Sequence, residues 1–225
     1  MSSFDDDFGS FSRRLRLIVA MLLEGANNKE NGQKNSKGTF SLFCNKSIEL
    51  YYRHMRQFLI ILRGVTASGK STISKRLRNF KEKIVWLKVD NFKDFFAEDS
   101  TLALEFVHGS AIATLDFLLH HGFSVVMDGV FQDTKVIDNA VNLARAKGIK
   151  TIVYQMQCSL QTLQERDRTR DGVKEGCRKI LGDEVIEQIY ERLQNTPYPN
   201  ARLLDTESLS IDQCVEKIRN DIHDE

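Results

Sequence analysis

The stretch FLIILRGVTASGKST, residues 58–72, decides how the rest of the chain is read. Phe58, Leu59, Ile60, Ile61 and Leu62, with Val65 beyond them, form the apolar run of a buried strand. Gly64, Gly69, Lys70 and Ser71 then satisfy the spacing G-x-x-x-x-G-K-[ST], and ISKRL follows at helical spacing. Strand, glycine-rich turn and helix in that order form an anion nest. The N–H groups from Ser68 to Thr72, on a turn that also contains Ala67, converge where the positive end of the helix adds to the field. Gly64 and Gly69 permit backbone angles and a close approach that a Cβ obstructs. Lys70 supplies a mobile cation for a β/γ-phosphate, and the Ser71 hydroxyl suits Mg²⁺. The stretch is read as a nucleotide-phosphate site made by Gly64, Ala67, Ser68, Gly69, Lys70, Ser71 and Thr72.

The bulk numbers bound the alternatives. A chain of 225 residues is long enough for one α/β domain with residues to spare. Apolar residues make up 41% and charged residues 28%, the mixture of a soluble globular protein. A net charge of +1 gives no overall electrostatic case for nucleic acid or a membrane surface. Cys44, Cys158, Cys177 and Cys214 show no C-x-x-C spacing, which suggests reduced thiols and a cytoplasmic location. No apolar run reaches the roughly 20 residues of a membrane span. The short run after Arg13, Arg14 and Arg16 lacks a small-residue cleavage site and follows an acidic start, so secretion is not expected.

Residues 1–54 read as an N-terminal extension. Helical segments at 12–24 and 47–55 flank the polar linker ANNKENGQKNSKG. The domain proper is expected over residues 55–225. After the first strand and a helix over 70–80, the run IVWLKVD (84–90) predicts a second strand. Residues 101–122 have helical periodicity, with Gly109 as a candidate interruption, and FSVVMDG (123–129) predicts a third strand. A helix follows between Asp133 or Thr134 and Gly148, then a strand over 151–158, a basic helix over 160–170 and a helix over 183–194 before Pro197. RLLDTE and SIDQCVEKIRNDI close the chain as strand and helix. This alternation implies a parallel sheet with helices on both faces and ligands beyond the carboxyl ends of the strands.

That rule singles out the last residue of each strand. Asp128, at the end of the third, is placed to hold Mg²⁺ with Ser71. Asp90, at the end of the second, is placed to accept the proton of an attacking hydroxyl. Arg166 and Arg170, one turn apart on the basic helix, present guanidinium groups suited to charge on transferring phosphates or to stacking on adenine. With the glycines at 172, 176 and 182 they suggest a lid over about residues 160–182.

With GVTASGKST, VDNF, MDGVF and RDRTR in this order, the chain resembles the P-loop kinases. It is most similar to the group containing zeta-toxin kinases, gluconate kinases, chloramphenicol phosphotransferase and polynucleotide kinase domains. The resemblance covers residues 56–225. It implies a three-layer α/β/α fold on a five-stranded parallel sheet in the order 2-3-1-4-5, ATP with Mg²⁺, and an acceptor bound near Asp90. In polynucleotide and zeta-toxin kinases an arginine usually follows the second-strand aspartate, whereas NFKDFF offers only Lys93.

No arginine occurs between Arg78 and Arg145, and residues 91–120 contain one lysine with Asp94, Glu98, Asp99, Glu105 and Asp116. Phosphorylated acceptors need cationic clamps. The expected acceptor is therefore a neutral or cationic small molecule bearing a hydroxyl, beside an apolar wall that Phe92, Phe95, Phe96 and Phe106 suggest. Nucleic acid is disfavoured as a partner. The alternatives are a kinase of nucleotide sugars or polynucleotide 5′-ends, and an ATP-binding switch or ATPase module. No N-K-x-D follows the loop, which argues against a GTPase, and Gly129 rather than an acid follows Asp128. A chain beginning at Met55 is expected to fold and bind ADP with unchanged affinity in calorimetry; loss of either would make residues 1–54 part of the domain.

Overall fold

The computed structural model describes residues 57–80, 83–95, 101–169 and 180–223. The extension at 1–54, Phe96, Arg170, Cys44 and Cys177, and the middle of the expected lid fall outside them. Five strands make one parallel sheet: β1 (Phe58–Arg63), β2 (Ile84–Lys88), β3 (Ser124–Gly129), β4 (Lys150–Gln157) and β5 (Arg202–Asp205). Their spatial order is β2-β3-β1-β4-β5, as the resemblance implied. A central strand is covered on both faces and so must be apolar at nearly every position rather than alternately. Every residue of β1 and β3 is accordingly buried.

Helices cover both faces. On one side α1 (Lys70–Arg78) and α6 (Ile211–His223) pack against Phe58, Ile60, Leu62, Val126 and Tyr154. On the other, α2 (Thr101–His120) and α3 (Lys135–Ala146) pack against Leu59, Ile61, Val125 and Met127. Val107, Ala111, Leu115 and Leu119 form the buried stripe of α2. That helix runs through Gly109 without a break, because the position faces open space and imposes no backbone demand. The remaining helices, α4 (Leu160–Thr169) and α5 (Asp183–Asn195), pack Leu163, Ile186 and Leu193 onto Val65 of the loop after β1.

The second strand is shorter than its apolar run suggests. It ends at Lys88, and Val89–Phe95 forms a 3₁₀ segment that carries Asp90 off the sheet. The apolar wall is only partly present among the described residues. Phe92 packs on the core, whereas Phe95 is 76% exposed and Phe106 60% exposed.

Arg63, the one charged residue of β1, is 0% exposed. Its Nε donates to the Phe131 carbonyl (3.1 Å), Nη1 to Gln155 Oε1 (2.7 Å) and Nη2 to Thr196 Oγ1 (3.2 Å). One guanidinium thus joins the end of β1, the loop after β3, β4 and the end of α5. All three acceptors are neutral, and burial depresses its pKa. Phe131 sits at φ 50°, a left-handed angle that strains a bulky residue. Its carbonyl bond to Arg63 and its ring, packed over Gly129, hold it there.

Gly64 is required for lack of room. A Cβ there would meet Met156 Cβ at 2.7 Å and Ser68 Oγ at 2.9 Å. Gly64→Ala is expected to destabilise the domain by about 1–3 kcal/mol, a fall of roughly 2–10 °C in melting temperature for a domain of this size. Thermal unfolding followed by circular dichroism checks it.

Candidate active site

Because all strands are parallel, the segments after β1, β2, β3, β4 and β5 emerge at one rim of the sheet. The loop after β1 turns through Ala67 (φ 66°) and Gly69 (φ 90°), both left-handed. Gly69 caps α1 without any side-chain hydrogen bond, so the helix's first donors are not claimed by a capping group. Ser68 N donates to Val65 O (3.2 Å) and Thr72 N to Gly69 O (3.1 Å), which ties both ends of the expected nest. Between them the N–H groups of Gly69, Lys70 and Ser71 have no main-chain acceptor among the described residues. Three consecutive inward donors at a helix N-terminus form an anion site.

Lys70 is 7% exposed. Its Nζ donates to the carbonyls of Gly64 (2.8 Å) and Val65 (2.7 Å) and lies 3.4 Å from Ser68 Oγ. Burial pulls its pKa down to about 8; Asp128 and Asp90 oppose the shift, and Lys88 adds to it. Asp128 and Asp90 therefore both lie within electrostatic reach of the Lys70 amine.

Asp128 pairs in register with Leu62 of β1 and Lys88 of β2 and is 1% exposed. Ser74 Oγ donates to its Oδ2 at 3.2 Å. Burial raises its pKa, while Lys70, the hydroxyls of Ser71 and Ser74 and the Trp86 N–H hold it down. Ser74 lies one turn beyond Ser71 on α1, a spacing that would have flagged it in the sequence. The described residues contain no group of three or more His, Cys, Asp or Glu side chains able to hold a metal. The Ser71 hydroxyl and Asp128 carboxylate are instead the hard, sparse oxygen donors that suit Mg²⁺, which keeps water and phosphate oxygens for its other positions.

Asp90 stands half-exposed on the 3₁₀ segment, with Lys93 Nζ 3.3 Å from its Oδ1. His108 of α2 lies within electrostatic reach of it. Burial lowers the pKa of His108, Asp133 opposes, Lys93 adds and Asp90 opposes, so the imidazole is neutral at pH 7. His108 and Asp133 had no signal in the sequence, because only the folded α2 and the loop after β3 bring them to this rim.

Arg166 is held by groups that follow β4 and β5. Its Nη2 donates to the Thr206 carbonyl (2.8 Å) and its Nη1 lies 3.5 Å from Cys158 Sγ, at the ends of β5 and β4. Asp167, 1% exposed, closes the base of the segment between α4 and α5. Its Oδ2 accepts from the N–H groups of Leu181 (2.8 Å) and Gly182 (3.3 Å), and Arg168 pairs with Asp183 beside it.

Fold and phosphate loop together define a P-loop kinase-like α/β protein. Residues 59–196 match the AAA-domain family, and the chain belongs to it. Among solved structures it is similar to the APS kinase of Mycobacterium tuberculosis in complex with AMPPNP and APS: TM-score 0.57, 16% identity, 76% of this chain and 99% of that one. It is similar also to a gluconokinase from Sinorhizobium meliloti 1021, with TM-score 0.54 and 16% identity over 74% of this chain and 93% of that one. The tunicamycin resistance protein of Deinococcus radiodurans gives TM-score 0.55 and 15% identity over 74% and 96%. At such identities these likenesses establish the fold. A comparison with curated protein sequences finds no match. Among the described residues no helix is long and apolar enough to cross a membrane.

The buried amine makes a pH prediction. Lys70 is largely protonated below pH 8 and loses its proton as pH rises through about 8. Phosphate oxygens beside it favour the ammonium form, so ADP binding above pH 8 must take up a proton. Calorimetry at pH 9 in buffers of different ionisation enthalpy is expected to show uptake and weaker affinity, with neither at pH 7. Without nucleotide, a pKa lowered from 10.5 lets the unfolded chain bind more protons between about 8 and 10.5, so this group's contribution to stability improves as pH rises there.

Proposed function

We propose that the protein is an ATP-dependent kinase that transfers the γ-phosphoryl group to a hydroxyl of a small molecule. The observation that carries this reading is the juxtaposition at one rim of an anion nest, a buried lysine and two aspartates within its electrostatic reach, Asp128 at the end of β3 and Asp90 on the 3₁₀ segment after β2. A loop that only held nucleotide would need no second, half-exposed carboxylate on the acceptor side of the sheet.

The Gly69, Lys70 and Ser71 N–H groups bind the phosphate oxygens, with Gly64, Ala67, Ser68 and Thr72 shaping the loop around them. Lys70 follows the charge that develops between β- and γ-phosphates. Ser71 and Asp128 would hold Mg²⁺, which supplies charge neutralisation at those oxygens. Asp90 orients the acceptor hydroxyl and accepts its proton as the oxygen attacks; in a loose transition state this base need not be strong. Lys93 Nζ lies beside that carboxylate, 3.3 Å from Oδ1. Arg166, bonded to the Thr206 carbonyl beside the ends of β4 and β5, is proposed to stack on the nucleotide base, and Arg170, outside the described residues, remains a proposed phosphate-side partner.

The acceptor side supports a neutral or cationic hydroxyl compound. Asp90 and Asp133 carry charge there, His108 is neutral, and Lys93 is already paired. Nothing among these groups offers a fork for a second phosphate. The domain is proposed to span residues 55–225 and to act in the cytoplasm, with nucleic acid a less favoured partner and no membrane partner.

The test is turnover of ATP with a panel of neutral polyols, amino alcohols, nucleosides and nucleoside monophosphates. One neutral or cationic acceptor is expected to stimulate turnover, and Asp90→Asn to lower that stimulated rate by about 10²–10⁴-fold with ADP affinity retained. Hydrolysis stimulated by a protein and indifferent to every hydroxyl compound would show a switch instead. Good turnover of a nucleoside monophosphate would overturn the acceptor class.

A further inference from the structure

The chain has a single tryptophan, Trp86. It lies in β2 opposite Val126, and Asp128 follows two residues along β3 on the same, α1-covered face. The indole N–H is buried and has no hydrogen-bond partner among the described residues. It is nevertheless one of the groups that favour ionised Asp128, so it is directed at that carboxylate without closing a hydrogen bond to it. Asp128 itself is under-used. Ser74 donates to Oδ2 and the Ser71 hydroxyl also favours the ionised form, which leaves the carboxylate room for further donors or ligands. A buried donor left idle beside a buried acceptor with spare capacity calls for an explanation beyond packing, since buried polar groups are nearly always paired.

We propose that Trp86 is a positioning residue for Asp128: its indole N–H takes up one carboxylate oxygen when the other is committed to a divalent cation shared with Ser71. The proposal rests on the kinase reading, because it needs a metal at Ser71 and Asp128. Its logic is that of outer-shell partners in general, which fix the orientation of a metal-binding carboxylate and raise affinity without touching the ion. Ser74 and Trp86 approach from different elements, α1 and β2, so the pair fixes the plane of the carboxylate as one donor alone does not.

The only indole gives one resonance, which makes the wild-type protein its own probe. In ¹H–¹⁵N spectra the Trp86 indole proton is expected to move downfield when MgCl₂ is added to the ADP-bound protein, as a new hydrogen bond requires. In Trp86→Phe, Mn²⁺ affinity of the ADP complex, read from the free-ion resonance in electron paramagnetic resonance, is expected to fall roughly 10–100-fold, while ADP affinity in EDTA is unchanged. Should that variant not fold, biosynthetic replacement of the indole by benzothiophene keeps the ring volume and removes only the N–H, with the same expected loss.

An indole proton that stays in place on metal addition overturns the proposal. So does equal weakening of metal-free ADP and Mn²⁺ binding, which would mark a packing defect. A wild-type protein that binds ADP and Mn²⁺ without the indole shift sinks the role of Trp86 alone, whereas one that binds neither sinks the kinase reading along with it.

Discussion

The ammonium of Lys70 sits inside the protein, between two main-chain carbonyls at 2.8 and 2.7 Å, and most of the rim is arranged around that burial. An ammonium out of water is unfavourable by several kcal/mol unless its surroundings compensate. Here the compensation is split. The carbonyls of Gly64 and Val65 act as a temporary ligand shell, and Asp128 and Asp90 supply opposite charge. The carbonyls can face inward only because the chain leaves β1 without a Cβ at Gly64. Phosphate oxygens entering the nest offer the amine a better partner than neutral carbonyls do, so the same desolvation that depresses its pKa sharpens its preference for an anion.

One residue before the loop lies a second buried cation with the opposite character. Arg63 cannot release its proton, and its planar fork engages three neutral acceptors at fixed angles. Lysine in that place could satisfy them only in part. Lys70 is thus the adjustable charge and Arg63 the fixed one. The first answers to ligand, and the second holds four segments and the strained Phe131 in one frame.

Much of this was legible in the chain. The apolar runs at Phe58–Arg63 and Ser124–Gly129 mark central strands because burial on both faces leaves no polar phase to confuse the reading. The loop was legible because its spacing encodes backbone geometry. What the sequence concealed were residues whose meaning depends on neighbours far along the chain. Arg63 looks like an ordinary charged strand end until Gln155 and Thr196 reach it. Asp167 is hidden in an interleaved run of charges and becomes a clamp only when Leu181 and Gly182 fold back. Arg166 follows the same pattern. Its position on the helix was read correctly, but β5 supplies the Thr206 carbonyl that fixes its direction.

The last helix has a consequence for how the protein is made. Tyr154 OH donates to Asp221 Oδ2 at 2.5 Å, Arg202 pairs with Asp221 Oδ1 at 2.9 Å, and Lys150 Nζ caps the carbonyls of Asp221 (2.9 Å) and Ile222 (3.0 Å). Cys214 and Ile218 of the same helix close the apolar face of β1. On a ribosome, β1 emerges about 150 residues before this last of its covering helices, a wait on the order of ten seconds at about 5–20 residues per second. During that interval β3, β4 and α1 are already made, and FLIILR lacks only its contacts with α6. The α6 side of the sheet is therefore the last to be covered as the chain is made.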